Sequence, residues 1–194
     1  GALTLPTTSA DSLHVNTGSG AITISAPIND NTGALTLVKN GSGALTLSST
    51  ASTFSGGLVI NAGNLAAAVD ANLGAAGGGV TVNAPSTFTL GSVTYANRPL
   101  TINNGAILTF GNFNATWSGN VTGSGGVSTS SGFGSQQTLS GTANTFQGPV
   151  LIAGSGTTGQ AYRFVFASLA DSATANGRIV FSASSVTHSE GSVF

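Results

Sequence analysis

A stacked, elongated all-β architecture is the fold class this sequence predicts, and three observations predict it. The first is a repeated phrase. Gly18-Ser19-Gly20-Ala21-Ile22-Thr23-Ile24-Ser25 returns as Gly41-Ser42-Gly43-Ala44-Leu45-Thr46-Leu47-Ser48. A period near two dozen residues is the length of one solenoid coil. The second is alternation. Leu45 and Leu47 point one way while Thr46 and Ser48 point the other, and Ile22/Ile24, Leu35/Leu37, Leu58/Ile60 and Val80/Val82 repeat the pattern. The third is punctuation. Gly-Ser-Gly, Asn-Gly and Gly-Gly lie between the bursts and supply turns. Residues 1–194 read as a single β-solenoid, a segment of a larger repeat protein.

Strands are predicted in order at Ala21–Ser25, Ala34–Val38, Ala44–Ser48, Leu58–Asn61, Val80–Asn83, Thr87–Leu90, Leu100–Ile102, Ile107–Phe110, Val150–Ala153 and Arg178–Ser182. Two Ala-rich stretches closed by Gly, Leu65–Leu73 and Leu169–Ala175, read as short helical corners. A longer repeat relates Thr53-Phe54-Ser55-Gly56-Gly57-Leu58-Val59-Ile60 to Thr145-Phe146-Gln147-Gly148-Pro149-Val150-Leu151-Ile152, at an offset of 92. At about 23 residues per coil this is four coils. Val80-Thr81-Val82 and Ile179-Val180-Phe181 lie 99 apart, which places an insertion near Gly156–Phe164. A two-sheet sandwich would share the frequent turns. Whole phrases recurring like for like favour stacked coils, with Leu/Ile columns inside and Thr/Ser/Asn ladders on the faces.

Composition limits the function. Only 5% of residues are charged, against about 25% in ordinary globular chains. The four basic residues, Lys39, Arg98, Arg163 and Arg178, are scattered, so no phosphate-neutralising patch forms and nucleic acid is not an expected partner. Cys is absent, so neither disulfides nor thiolate metal sites are expected. The longest apolar runs fall far short of the roughly 20 residues of a membrane helix, and direct membrane insertion is not expected.

Chemical motifs are sparse. Gly154-Ser155-Gly156-Thr157-Thr158-Gly159 fits a phosphate-binding glycine pattern, yet position 179 is Ile where the acidic partner should stand. Asp11 lies near His14, and Ser is abundant, but no G-x-S-x-G elbow occurs; His14 and His188 read as exposed turn residues. Glycoside cleavage needs two carboxylates at a set separation. The acids Asp11, Asp30, Asp70, Asp171 and Glu190 are far apart in sequence, with Asp70 and Asp171 read as caps or turns. Asn29-Asp30-Asn31 is the one hint of a calcium loop and reads as a turn. No catalytic, cofactor-binding or metal-ligating residue is therefore expected. The aromatics Phe110, Phe113, Trp117, Phe133, Tyr95 and Phe164 read mainly as core. The inserted segment, with Tyr162, Arg163 and Phe164, is the candidate projecting contact loop.

The residues resemble a known family, the autotransporter-associated β-strand repeat. Its pattern is Gly-Ser/Thr-Gly-x-Leu-x-Leu, then Asn-x-Tyr/Phe-x-Gly-Gly, then a strand and Gly-x-Leu. Here Gly41–Leu47, Ser52–Gly57 and Leu58–Leu65 follow it, with Ser52 in place of Asn. A second copy keeps Leu139-Ser140-Gly141, Asn144-Thr145-Phe146 and Gly148, with Pro149 in place of Gly. The resemblance implies a right-handed parallel β-helix in a secreted or surface-displayed passenger region of a Gram-negative-type bacterium, often in adhesin-like proteins. The leading expectation is a non-catalytic structural or adhesive solenoid, either a stiff stalk or a head-to-tail fibre subunit. End-to-end self-association and a host or cell-surface glycan or protein are the expected partners. The alternative is a carbohydrate-active β-helix enzyme of lyase or glycosidase type.

Overall fold

The computed structural model describes residues 3–4, 11–30, 32–91, 93–111, 114–131, 136–154, 163–167 and 179–183. Every strand pairing among them is parallel. The chain winds past three faces. The first stacks Asp11–Asn16, Leu35–Asn40, Leu58–Ile60, Val80–Val82, Leu100–Ile102 and Val121–Thr122. The second stacks Ile22–Ile24, Ala44–Leu47, Gly63–Ala67, Ser86–Leu90, Ile107–Phe110, Gly126–Ser131, Val150–Gly154 and Ile179–Ala183. The third is split: Leu3–Thr4 pairs with Ile28–Asn29, and Thr94–Tyr95, Ala115–Trp117, Gln136–Leu139 and Arg163–Phe166 form a separate sheet. This is the expected all-β parallel solenoid.

Each coil supplies one inward row per face, and register puts like on like. Leu13, Leu37, Leu58, Val80, Leu100 and Val121 form one column. Leu45, Leu65, Phe88 and Leu108 form another, and none of the four is accessible to solvent. The third face contributes Tyr95, Trp117 and Leu139, also fully buried. Tyr95 stacks on Trp117 at 5.4 Å and Phe88 meets the same indole edge-on at 6.0 Å, geometries that favour aromatic pairs. Threonines occupy the alternate, outward rows: Thr81, Thr101 and Thr122 on the first face, Thr89 and Thr109 on the second, Thr94, Thr116 and Thr138 on the third.

Three expectations require correction. Leu65–Leu73 is not a helical corner: Gly63–Ala67 is a strand paired on both sides, and only Asp70–Leu73 is helical, as one 3₁₀ turn. Two complete ladders outweigh the modest helix propensity of three alanines. The buried Asn72 then closes the corner, its Oδ1 accepting from the Ala68 and Val69 N–H groups and its Nδ2 donating to the Ser49 carbonyl. The other expected helix, Leu169–Ala175, lies outside the described residues. The second correction concerns Ile22, expected inward but 37% exposed. It pairs with the buried Leu45, but among the described residues its strand is the last of its sheet and has a neighbour on one side only.

The third correction is the phase of the long repeat. Leu58–Ile60 lies on the first face, whereas its counterpart Val150–Ile152 lies on the second, paired with Val127–Thr129. Val80–Val82 and Ile179–Phe181 are displaced in the same way. The repeat offset is thus four coils and one further face. Coil length is also uneven: the coil from Leu45 to its partner Leu65 is shorter than the next, from Leu65 to Phe88. All faces use the same in/out alternation, so a phrase fixes a strand and turn but not a side.

The corner between the first two faces shows why the Gly-Ser-Gly phrase recurs. Gly43 sits directly on Gly20, and a Cβ added to Gly43 would fall onto the Gly20 carbonyl oxygen. At Gly20 the space is open except for the Thr17 carbonyl at 3.9 Å. Gly43→Ala is expected to destabilise by about 1–3 kcal/mol, the cost of overpacking. Gly20→Ala, at the equivalent place one coil earlier, should change stability by no more than about 0.5 kcal/mol. Guanidinium unfolding midpoints of the two variants check the contrast.

Candidate functional site

The polar groups with the most defined geometry are buried. Lys39 stands in the inward row formed by Val15, Lys39, Ile60, Val82 and Ile102, and its side chain has no solvent exposure. Its ammonium donates to the carbonyls of Gly41 (2.7 Å), Ala62 (2.8 Å) and Asn40 (3.2 Å) and to Thr17 Oγ1 (3.0 Å). These oxygens belong to three successive coils. Burial pushes the Lys39 pKa below its ordinary value.

Arg98 is the second clamp. Asn97 adopts a positive φ of 49°, a conformation Asn tolerates better than most residues, and Arg98 follows it fully buried. Its Nε meets Asp70 Oδ1 at 2.6 Å, and one terminal nitrogen reaches Asp70 Oδ2, the Asp70 carbonyl and the Gly74 carbonyl. The other terminal nitrogen donates to the carbonyls of Leu73, Ala75 and Gly78. The corner from Asp70 to Gly78 is thus folded around one guanidinium from the next coil. Trp117 Nε1 donates to the Arg98 carbonyl at 2.9 Å, so the indole holds the backbone of the clamp.

Two acids of the described residues, Asp70 and Asp30, are placed in structural roles. Asp70 serves Arg98. Asp30 accepts from the Leu35 N–H (2.7 Å), the Ser55 N–H (3.0 Å) and the Ser55 hydroxyl. Desolvation pushes the Asp30 carboxyl up, but the hydrogen bonds from the Ser55 hydroxyl, Leu35 and Ser55 N–H together bring it below its ordinary value. Beside it, Asn29 Oδ1 accepts both the N–H and the hydroxyl of Thr53. Asn29-Asp30 therefore grips Thr53-Phe54-Ser55 one coil on, and Phe54 is fully buried. Asp11 lies on a first-face strand. Asp171 and Glu190 lie outside the described residues. Among the described residues no three His, Cys, Asp or Glu converge on a metal-sized site.

His14 is on a strand, not on the turn expected for it. Ser12 Oγ lies 2.9 Å from His14 Nε2, and Asn40 Nδ2 lies 3.3 Å from Nδ1. An amide NH₂ only donates, so Nδ1 accepts and the ring hydrogen sits on Nε2. A serine-activating base needs the opposite tautomer, with the Nε2 lone pair facing the hydroxyl. His188 lies outside the described residues.

Of the candidate contact loop, Arg163 and Phe164 lie in the strand Arg163–Phe166. The half-buried Phe164 ring meets Phe110 edge-on at 5.5 Å and Phe166 at 4.3 Å. Tyr162, Phe113, Phe133 and Ser155–Gly159 of the glycine motif lie outside the described residues. The coil from Val150 to its partner Ile179 is the longest of those on the second face, so the extra chain length falls between these two strands. An open, uncharged groove crosses three coils near Asn97, Pro99, Ser118, Asn120, Ser140 and Thr142. Among the described residues no helix is long and apolar enough to cross a membrane.

Sequence reasoning missed both buried cations. Lys39 had a readable signal, because it occupies the position held by Val15, Ile60, Val82 and Ile102 before a strand-ending Asn. Arg98 had none, since its partners, Asp70 and the backbone carbonyls of a corner, lie 20 or more residues away in sequence.

Stacked faces, a continuous core and polar side chains devoted to joining coils define a structural β-solenoid. Residues 37–67 and 135–158 match the passenger-associated-transport-repeat family model, so these two segments are similar to a passenger repeat. Neither the curated proteins nor the solved structures include a match to this chain.

The buried groups can be probed by substitution and by pH. Arg98→Met leaves Asp70 and several carbonyls without a donor, and a loss of roughly 3–5 kcal/mol is expected, as for other broken buried pairs. Arg98→Lys should recover little of it, because a point charge cannot span this set of acceptors. Chemical denaturation measures both. Tyr95 is buried, with its hydroxyl donating to the Ala67 carbonyl at 2.6 Å and accepting from the Gly91 N–H at 2.8 Å. Desolvation raises its pKa to about 12, the Gly91 bond opposing and the Asp70 charge adding to the shift. The neutral phenol is thus favoured in the fold. Its contribution is complete below the unfolded value near 10 and is lost as pH rises from about 10 to about 12. Compared with Tyr95→Phe, the unaltered protein should lose roughly 2–3 kcal/mol across that window, read from denaturation curves.

Proposed function

We propose that this passenger-type solenoid is a stiff extracellular spacer, displayed at the surface of a Gram-negative-type cell, and that its uncharged faces make adhesive contacts. The supporting observation is the continuous register: the second face runs through eight parallel strands with the core columns unbroken from Leu45 to Val127. At roughly 4.8 Å per coil, eight strands span on the order of 35 Å. Bending such a rod opens backbone hydrogen bonds and core contacts on one side together, which resists flexure. The groove of amides and hydroxyls at Asn97, Ser118, Asn120 and Ser140 suits a hydroxyl-rich ligand such as a surface glycan.

A second reading, end-to-end assembly, is favoured by one observation. Asp11–Asn16 and Ile22–Ile24 are the last strands of their sheets among the described residues, and a last strand can accept a further parallel strand. Electron microscopy of the purified chain tests both. Dispersed short rods are expected for the spacer; filaments with an axial repeat of one subunit would replace it with the fibre reading. Compact, isotropic particles would overturn both.

A further inference from the structure

Four asparagine side chains form a continuous row of hydrogen bonds along the corner between the first and second faces. Asn103 Nδ2 donates to Asn83 Oδ1, Asn83 Nδ2 to Asn61 Oδ1 at 2.8 Å, and Asn61 Nδ2 to Asn40 Oδ1 at 2.9 Å. Every amide points its NH₂ toward the preceding coil, so the row has one direction. It ends at His14, where Asn40 Nδ2 meets Nδ1 at 3.3 Å. A neutral imidazole with its hydrogen on Nε2 is the acceptor that closes the row.

Protonation makes both ring nitrogens donors. Nδ1–H then faces the Asn40 NH₂, and two donors cannot bond. Turning the Asn40 amide over presents Oδ1 to the imidazolium, but it brings the Asn40 NH₂ against the Asn61 NH₂. The same conflict passes to Asn83 and Asn103 and disappears only when all four amides have turned. Mutual polarisation along the row favours a single shared direction. We propose that protonation of His14 reverses the direction of the whole amide row, so that proton binding in one coil is felt at Asn103, four coils further along.

The surroundings leave the switch to His14. On its own strand Asp11 alternates to the inward-pointing rows with Leu13 and Val15, while Ser12, His14 and Asn16 alternate outward. On the adjacent strand the charged group is Lys39, buried on the inward side and held by Thr17, Gly41 and Ala62. Asp30, near the start of that strand, is bound by Leu35 and Ser55. Among the described residues, neither of the strands that carry the contact places a second titratable group on His14's side.

Nitrogen-15 NMR of the intact chain between about pH 8 and pH 5 tests the proposal. At the upper end the His14 ring shifts should report the Nε2–H form. On acidification the side-chain amides of Asn40, Asn61, Asn83 and Asn103 should move with one midpoint, equal to that of His14. His14→Gln, at an exposed position, should abolish all four responses. Asn61→Leu should keep the Asn40 response and remove those of Asn83 and Asn103. A titration confined to Asn40, or responses at Asn83 and Asn103 that survive in His14→Gln, would overturn it; the unaltered protein alone decides the first of these.

Discussion

Parallel pairing in register places each inward side chain directly on its equivalent in the neighbouring coil, and this constraint governs the rest of the molecule. A column tolerates only residues that can stack on themselves, which is why Leu37, Leu58, Val80 and Leu100 succeed one another. The same rule applied outward gives threonine files. Applied at corners, it demands glycine wherever two backbones meet face to face, as at Gly20 and Gly43. Composition follows from the geometry: a small, uncharged vocabulary suits a chain whose every residue lies against a copy of its own position.

Charge can enter such a core only where the backbone supplies acceptors. A parallel ladder uses its carbonyls within the sheet, but corners leave some over, and both buried cations reach corner carbonyls, Lys39 from within a strand. Lys39 collects oxygens from three coils; Arg98 collects those of an entire corner together with Asp70. Breaking such pairs is expensive, whereas exchanging them for well-packed apolar groups is often neutral. Their effect is therefore read best as alignment. A coil slipped by one residue would carry the Lys39 side chain to the outward face and leave its cage unfilled.

Much of the fold was legible because alternation and repetition are properties of a single strand and its copies. Leu100–Ile102 and Ile107–Phe110 have the bounds expected of them, and most other proposed strands differ by one or two residues. Strands such as Ala115–Trp117 and Gln136–Leu139 escaped notice because too few apolar residues mark them. The site was less legible. An asparagine ending successive first-face strands is visible at positions 40, 61, 83 and 103, and Asn ladders on the faces were expected; their shared direction and their contact with His14 depend on three-dimensional register. The ion pair of Asp70 and Arg98 joins distant parts of the sequence through a corner whose path no local pattern specifies.

The displacement of the second repeat copy by one face has a consequence for how such proteins can lengthen. Copying a sequence block preserves packing, since any side of the prism accepts the same alternation, but it need not preserve azimuth. Growth by duplication would twist the pattern of exposed side chains around the axis, spreading each block's contacts over a new bearing. Length and surface geometry are thereby free to change independently.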